Sequence, residues 1–575
     1  MDRNLILSII LSVLIIVGFQ YFFHSFSPPT PVNGPLTTDM SQRRQIQKKP
    51  PAVQAQSSEK NKLSESENAE PRKPFSDDSR QSLVANVKER TVKVDTPNYE
   101  AVLTNLGGRI VSFKLKRYTT QINNSDLVNL FPPEGPDTST PSIRLTRSDE
   151  VFSDSNLAYA IDIQDPLVRI DKPNEDKTII LKGISDSGLV IYKKFVFHSD
   201  TYSIDLGYVF ENTSNKERDY LVTFPLRKFF SEDPHQRFSW NSVIVLLDGT
   251  LKDYSFKDIK GDEELSGHVS WAGLGDVYFF RALIFPHKPA GKVTLLKPTK
   301  DDIAEILVRY GSIDIPAGGK SAETRLGLYL GPKEASALQA ASGNLGRALV
   351  YSNYQALNFM STYLMKFLRF CNSGFTILGI KIPGTGNYGI DIIILTLLIK
   401  VLFIPLTHKS MKSMKRMQDL QPQITKLKEK YKDDKSALNK ATMELFRDNK
   451  VNPLGSCWPM FMQIPVFIAL YQALSYAIEL RHAPFLCFPS IYFCIQDLSA
   501  PDPYYVTPIL MGGTMVLQQW MTPSAGDPMQ KKMMLLMPVV FTYMFLSFPS
   551  GLVLYWLVSN VLSIGQQLIT NRLTR

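Results

Sequence analysis

Hydrophobic and polar positions fall into three regimes along this chain. The first is an apolar run from Leu5 to Phe23, interrupted only by Ser8, Ser12, Gly18 and Gln20, and long enough to cross about 30 Å of hydrocarbon. A secretory signal has a shorter apolar core followed by a small-residue cleavage motif. Here Tyr21-Phe22-Phe23-His24 follow instead, so residues 1–26 predict an uncleaved signal-anchor transmembrane helix. Residues 27–82 are rich in Pro, Ser, Gln and Lys, as in Ser27-Pro28-Pro29-Thr30-Pro31 and Lys48-Lys49-Pro50-Pro51. They supply too few core formers to fold and predict a flexible linker.

The second regime, the domain 83–342, has a period of two from about Leu83 to Pro332. Tyr202, Ile204, Leu206, Tyr208 and Phe210 alternate with Ser203, Asp205, Gly207 and Val209, the pattern of a half-buried strand. Val111, Phe113 and Leu115 repeat it, as do Leu326, Leu328 and Leu330, with turn signals such as Asn105-Leu106-Gly107-Gly108 between runs. Many short strands with Gly and Asn turns predict an antiparallel β-sandwich.

The third regime is helical. Residues 343–388 predict an amphipathic interfacial helix and its connection, since Leu349, Phe359, Met360, Tyr363, Leu364, Phe367 and Leu368 are mixed with Arg347, Lys366 and Arg369. From 389 to 575 apolar runs recur at about 389–406, 454–476, 504–521, 534–548 and 550–568, the last two divided by Phe548-Pro549-Ser550-Gly551. With the anchor, six spans are expected. The segment 407–453 carries 12 Lys/Arg and 6 Asp/Glu, against Arg481 alone among Lys and Arg in 475–503. The first loop therefore reads as cytoplasmic and the second as external. Lys531 and Lys532 in a short loop, and Arg572 and Arg575 in the tail, place both termini inside and the β domain outside, periplasmic in a double-membraned bacterium. Within 407–453, the apolar positions Met411, Met414, Met417, Ile424, Leu427 and Tyr431, then Leu438, Ala441 and Leu445 after Lys432-Asp433-Asp434-Lys435, predict a cytoplasmic helical hairpin. Its Met stripe is either the seam between two helices or a contact surface for varied partners.

Composition changes this picture little: 21% charged, 44% hydrophobic and a mean hydropathy of −0.08 average over unlike regions. The net charge of +10 lies mostly beside the spans, where topology explains it, and implies no specific nucleic-acid recognition. Gly319-Lys320-Ser321 resembles the end of a phosphate loop but lacks its earlier Gly and precedes a strand, so a β-turn is expected. Gly384-Thr385-Gly386-Asn387-Tyr388-Gly389 formally matches a dinucleotide fingerprint, yet no strand precedes it and a membrane helix follows. The seven His residues are scattered, and no nucleophilic or metal-ligand constellation is present in the sequence. No cofactor, metal or covalent catalysis is expected.

Candidate chemistry lies inside the spans, which carry Thr396, Lys400, Gln463, Gln472, Thr514, Gln518, Gln519, Asn560, Ser563, Gln566 and Gln567. Such residues must face one another or water. Lys400, about one turn after Thr396 and before Pro405, either snorkels to the cytoplasmic surface or lines a wet cavity.

Six stretches resemble the YidC family of membrane protein insertases: Ile404-Pro405-Leu406-Thr407, Leu420-Gln421-Pro422, Val451-Asn452-Pro453-Leu454-Gly455, Gln463-Ile464-Pro465-Val466-Phe467, Asp502-Pro503-Tyr504-Tyr505 and Phe548-Pro549-Ser550-Gly551-Leu552-Val553-Leu554-Tyr555. The resemblance implies a non-enzymatic inner-membrane insertase and chaperone. In it, five core helices enclose a hydrophilic groove open to cytoplasm and lipid but closed towards the outside, with one cation at its centre, and the groove releases substrates laterally, alone or with the Sec translocon. Lys400 stands where the family usually has Arg, which keeps the charge and loses the planar fork. The implied groove residues are Thr396, Lys400, Gln463, Phe467, Thr514, Gln518, Tyr555, Trp556, Asn560 and Ser563, with Phe467, Tyr555 and Trp556 touching the incoming segment. The implied partners are newly made membrane proteins, the ribosome at the hairpin, Sec translocon components and the lipid bilayer. A secondary transporter is the alternative, since a cation in a polar cavity also describes ion-coupled carriers, but no internal repeat supports it. Cys487 and Cys494 in the external loop either pair as a disulfide or stand as thiols, with Cys371 and Cys457 free.

Overall fold

The computed structural model describes residues 89–573, apart from short segments at 123–124, 133–136, 149, 230–240, 288–289, 299–301, 342–343, 353, 378–379, 432–433, 450, 452–457, 489–492 and 522–527. The predicted anchor and linker, Cys457 and most of the Val451–Gly455 motif lie outside the described residues.

Strands occupy the first half. A five-stranded sheet runs in the order Leu127–Asn129, Arg109–Thr119, Tyr99–Thr104, Thr91–Asp95, Leu167–Arg169, and a fourteen-stranded sheet holds the rest of the domain. The pairings are antiparallel except at one edge, where Leu167–Arg169 joins Thr91–Asp95 in parallel, because it arrives by a long crossover and not a hairpin. The alternation at 202–210 is observed: Ile204, Leu206, Tyr208 and Phe210 are buried and Asp205 is exposed. Phe113 and Leu115 are buried as expected, but Val111 is not. It is the extra residue of a bulge, since Val102 pairs with Ser112 and Leu103 with Ile110, so the inward phase passes to Ile110. The expected turn follows at Gly319, whose N–H bonds the Pro316 carbonyl at 3.1 Å.

One polar knot ties the two sheets. The turn joining Tyr99–Thr104 to Arg109–Thr119 uses left-handed φ at Gly107 and Gly108, and the Lys193 ammonium donates to the Gly107 carbonyl at 2.6 Å. Lys193 also pairs with Asp154 at 2.5 Å, both side chains being nearly inaccessible. Ile143 N–H and the Tyr159 hydroxyl donate to the same carboxylate. Buried charge is tolerable here because each formal charge finds its opposite and further hydrogen bonds.

The helices follow in order: α1 Ala335–Ala340, α2 Gln355–Ser373, α3 Tyr388–Asp419, α4 Gln421–Lys430, α5 Lys435–Asp448, α6 Trp458–Tyr476, α7 Val506–Met521, α8 Pro528–Phe545 and α9 Ser550–Leu573. Among the described residues two stretches, Tyr388–Met417 and Ser550–Ile569, have the length and apolarity to cross a bilayer, and Phe461–Tyr476 and Leu535–Phe545 are shorter apolar stretches. Several boundaries differ from expectation. The segment predicted to be interfacial begins as a 3₁₀ turn, Leu345–Ala348, and ends in a small hairpin, Gly374–Ile377 with Ile380–Pro383. Gly384 belongs to the end of that hairpin, where a Cβ would fall 1.9 Å from the Asn372 carbonyl oxygen, so close backbone approach explains a glycine that mimics a cofactor motif. α3 does not stop near residue 406: Pro405 removes one intrahelical bond without ending the helix. Met411 and Met414 therefore extend α3, and only Met417 packs on the small core of Leu420, Ile424 and Val451 beneath the hairpin helices. Lys531 and Lys532 lie within α8, which starts on Pro528, and not in a loop.

The segment between α6 and α7 docks on the β domain. Ile478 is part of the β-domain core, Arg481 donates to the Thr119 and Thr120 carbonyls at 2.8 and 3.1 Å, and Glu479 pairs with Arg369 of α2 at 2.7 Å. Beyond it, Phe485–Phe488 and Phe493–Ile495 form a hairpin in which Cys487 and Cys494 are joined, their Cα atoms 4.0 Å apart. Cys371 is a free thiol.

Candidate functional site: a polar seam between helices

The polar residues of the spans meet in pairs across helices. Lys400 Nζ of α3 donates to Ser563 Oγ of α9 at 2.6 Å, and Ser563 in turn donates to the Ser559 carbonyl at 2.9 Å. Among the described residues no carboxylate lies within ion-pair distance of Lys400. A half-buried cation in an apolar helix thus spends one of its three N–H donors on a neutral hydroxyl. Nearby, Gln463 of α6 donates to the Tyr555 hydroxyl of α9. Asn560 of α9 donates to Thr514 of α7 at 3.2 Å, and Gln566 to Thr407 of α3 at 2.9 Å. Residues three, four and seven apart share a helix face, so Trp556, Asn560 and Ser563 form one stripe of α9, with Thr514 on Asn560 and Lys400 on Ser563, while Tyr555 and Gln566 take their partners beside it.

Of the ten expected groove residues, the structure joins eight as four interhelical pairs: Lys400 with Ser563, Gln463 with Tyr555, Thr514 with Asn560, and Phe467 with Trp556, whose rings meet edge-on at 5.0 Å. Thr396 is different. It is buried and bonds back to the Ile392 carbonyl of its own helix at 2.6 Å, which a hydroxyl in an apolar helix does when no partner is opposite. Gln518 is half-buried one turn beyond Thr514.

Sequence reading missed three features. Asp391, buried in the first turn of α3, is held by Asn372 at 2.9 Å and by Thr385. Asn387 opens that helix by accepting from the N–H groups of Gly389 and Ile390 at 2.9 and 3.2 Å, a cap signal visible in the sequence. Gly512 lets α7 approach α8: a Cβ there would fall 2.0 Å from Thr542 Oγ1, the small-residue contact typical of membrane helices. The third is aromatic: Phe541 and Phe545 of α8 join Phe467 and Trp556 in one cluster.

A bundle of apolar helices with an internal polar seam, carrying a large β domain on one side, defines a multi-pass membrane protein. Comparison with known families places it. Residues 381–575 match the family described as 60Kd inner membrane protein, and residues 91–367 match the YidC periplasmic domain. The chain is 36% identical over 582 aligned residues to a membrane protein insertase YidC of Geotalea daltonii, covering 100% of this chain and 99% of that one. It is 35% identical to that of Syntrophus aciditrophicus, covering 100% of both. A solved YidC insertase with its first transmembrane domain resolved aligns over 84% of this chain and 93% of its own, at 17% identity and a TM-score of 0.36. The chain belongs to the YidC family, and is accordingly a multi-pass protein of the inner membrane with a periplasmic domain.

Proposed function

We propose that this protein inserts hydrophobic segments of other proteins into the inner membrane, using the polar seam as the groove that receives them. The observation that carries this is Lys400, a cation inside an apolar helix whose hydrogen-bond partner is the neutral hydroxyl of Ser563. A charge at mid-span is unfavourable by about 2.5–3.5 kcal/mol on insertion scales, and such residues mark pathways. A short hydrophilic tail cannot cross about 30 Å of hydrocarbon unaided. A polar seam shortens that barrier, and partition of an apolar segment into lipid supplies the drive without nucleotide hydrolysis. Lys400 offers transient attraction to acidic residues of the tail, while the half-buried Trp556, backed by the buried Phe467 and Tyr555, offers an apolar surface to the segment behind it.

The finer reading follows the family resemblance and the charge of the loops. Six spans, counting residues 1–26, put both termini in the cytoplasm, with the basic α4–α5 hairpin as the receiving surface for ribosome-delivered chains and the Sec translocon as an alternative delivery partner. Asp391 is engaged by Thr385 and Asn372, about 14 Å along α3 from Lys400 at 1.5 Å per residue, which separates the two charges that ion coupling would bring together. Reconstitution in liposomes of pure lipid tests the reading. Insertion of a small single-span substrate by the protein alone is the expected result, and solute flux without insertion would replace it with a carrier.

A further inference from the structure

Where the bundle meets the β domain there is a polar cavity of about 340 Å³, at the lower end of the range of small-molecule sites. Three parts of the chain build it. Arg117 and Tyr118 end the strand Arg109–Thr119, Glu334 caps α1, and Glu479, Arg481 and His482 belong to the loop after α6.

Its charges are of both signs. Glu334 accepts from the Tyr118 hydroxyl at 2.9 Å. Glu479 pairs through Oε1 with Arg369 of α2 at 2.7 Å, yet Oε2 of this side chain, only 10% exposed, has no hydrogen-bond donor. A buried carboxylate oxygen left in this way calls for a group that the chain does not supply. Arg481 is already engaged, since it donates to the Thr119 and Thr120 carbonyls and lies over the rings of Tyr278 and Phe279. Arg117 is exposed and makes no hydrogen bond or ion pair with any described residue. Burial first, and Arg481 next, hold His482 below its usual pKa of 6.5, so it adds no charge at neutral pH. A simple anion would answer Arg117 and leave Glu479 Oε2 without a donor, and a simple cation would do the reverse. A ligand with a primary ammonium a few atoms from a phosphate answers both.

The cavity also lies at the depth of lipid headgroups. α6, an apolar helix of the bundle, ends at Tyr476, just before the cavity wall begins. α2, which supplies Arg369, turns Phe359, Tyr363 and Phe370 outward, with Lys366 over the Tyr363 ring at 5.1 Å. Aromatic and basic residues mixed on one exposed helix face belong to a membrane–water boundary.

We propose that this cavity holds the headgroup of an ethanolamine phospholipid from the leaflet facing the β domain, its phosphate on Arg117 and its ammonium at Glu334 and Glu479. One lipid molecule would then complete the joint between the β domain and the bundle, supplying the donor that Glu479 lacks. The inference rests on the chain being a membrane protein and is independent of what the polar seam does.

The test is retention of lipid by full-length protein, purified in detergent and read by native mass spectrometry. Phosphatidylethanolamine, phosphatidylcholine and phosphatidylglycerol with the same tails are offered in equal amounts. The expected result is one phosphatidylethanolamine held about tenfold more tightly than either competitor, the factor that one charge-assisted hydrogen bond brings. Phosphatidylcholine has no N–H on its ammonium, and phosphatidylglycerol has no ammonium. Glu479→Gln should abolish the preference, and so should Arg117→Gln, which removes an exposed side chain that holds nothing else in place. Lys366→Gln, on the outward face of α2, should leave it intact. Free phosphoethanolamine at the same concentration should not displace the lipid. Equal retention of the three lipids, as for a cleft filled by water alone, would overturn the proposal. Preference for phosphatidylglycerol, a preference that survives Arg117→Gln or is lost in Lys366→Gln, or displacement by free phosphoethanolamine would each overturn it as well.

Discussion

His198 sits between two carboxylates, its Nδ1 2.6 Å from Asp176 and its Nε2 3.3 Å from Asp205. Hydrogen bonding to Asp205 first, then to Asp176, outweighs partial burial and pushes its pKa up to about 9 from 6.5. A pKa raised on folding means that the folded state holds the proton more tightly, so the stabilisation is complete below pH 6.5 and is lost as pH rises toward 9. The thermal midpoint of the β domain should therefore fall across that window, and His198→Gln should flatten the fall. An unchanged slope in the variant would assign the pH response elsewhere. In the sequence His198 was one of seven scattered histidines, because its partners lie 22 residues before and 7 after it and only strand register brings them together. Lys400 was the reverse case: its position in an apolar run was visible, but Ser563, 163 residues on, was tied to it only by the packing of α3 on α9.

At the scale of elements, periodicity served where one face is buried and failed where local geometry intervened. Ile204 to Phe210 alternate inside and outside as read, whereas the bulge at Val111 shifts the phase by one residue. Composition also misplaced helix ends. Apolar runs mark what lipid must cover, but hydrogen bonding carries α3 past Pro405 to Asp419 and starts α8 at Pro528, so charged residues beside a span belong to the same helix. The possible pairing of Cys487 with Cys494 was read from two cysteines and a compartment; the structure adds the strand pairing that sets their Cα atoms 4.0 Å apart. Thiol counting on unreduced, denatured protein should find two reactive cysteines, Cys371 and Cys457, rising to four after reduction. Four before reduction would show that the external pair does not form.

On the proposed reading the whole molecule segregates function in sequence. Every side chain of the polar seam lies after residue 388, and none comes from the β domain. Deleting residues 100–300 should therefore cost insertion only modestly. It should still lower the thermal midpoint of the membrane bundle, because Ile478 loses its place in the β-domain core and Arg481 its carbonyl partners on Thr119 and Thr120. Complete loss of insertion with the truncated protein stably present would place part of the function in the β domain. This division was legible from the change of period after Pro332, where the last strand of the domain ends. The docking of the loop after α6 was not, since a contact between Arg481 and Thr119 spans 362 residues and has no local signature.

The central claim is that Lys400 attracts acidic groups of an entering tail. Insertion of one substrate, with and without its tail carboxylates, is measured in wild type and in Lys400→Ala by the protein alone in liposomes, with Lys400→Arg and Lys400→Glu as companions. Lys400→Arg should keep most activity, Lys400→Ala should impair the acidic substrate more than the neutral one, and Lys400→Glu should be worse still. The two substitutions form a double-mutant cycle, for which a coupling of about 0.5–3 kcal/mol is expected of groups that meet. A coupling near zero, with all variants alike, would contradict the claim and leave Lys400 as a lysine that reaches for the membrane surface.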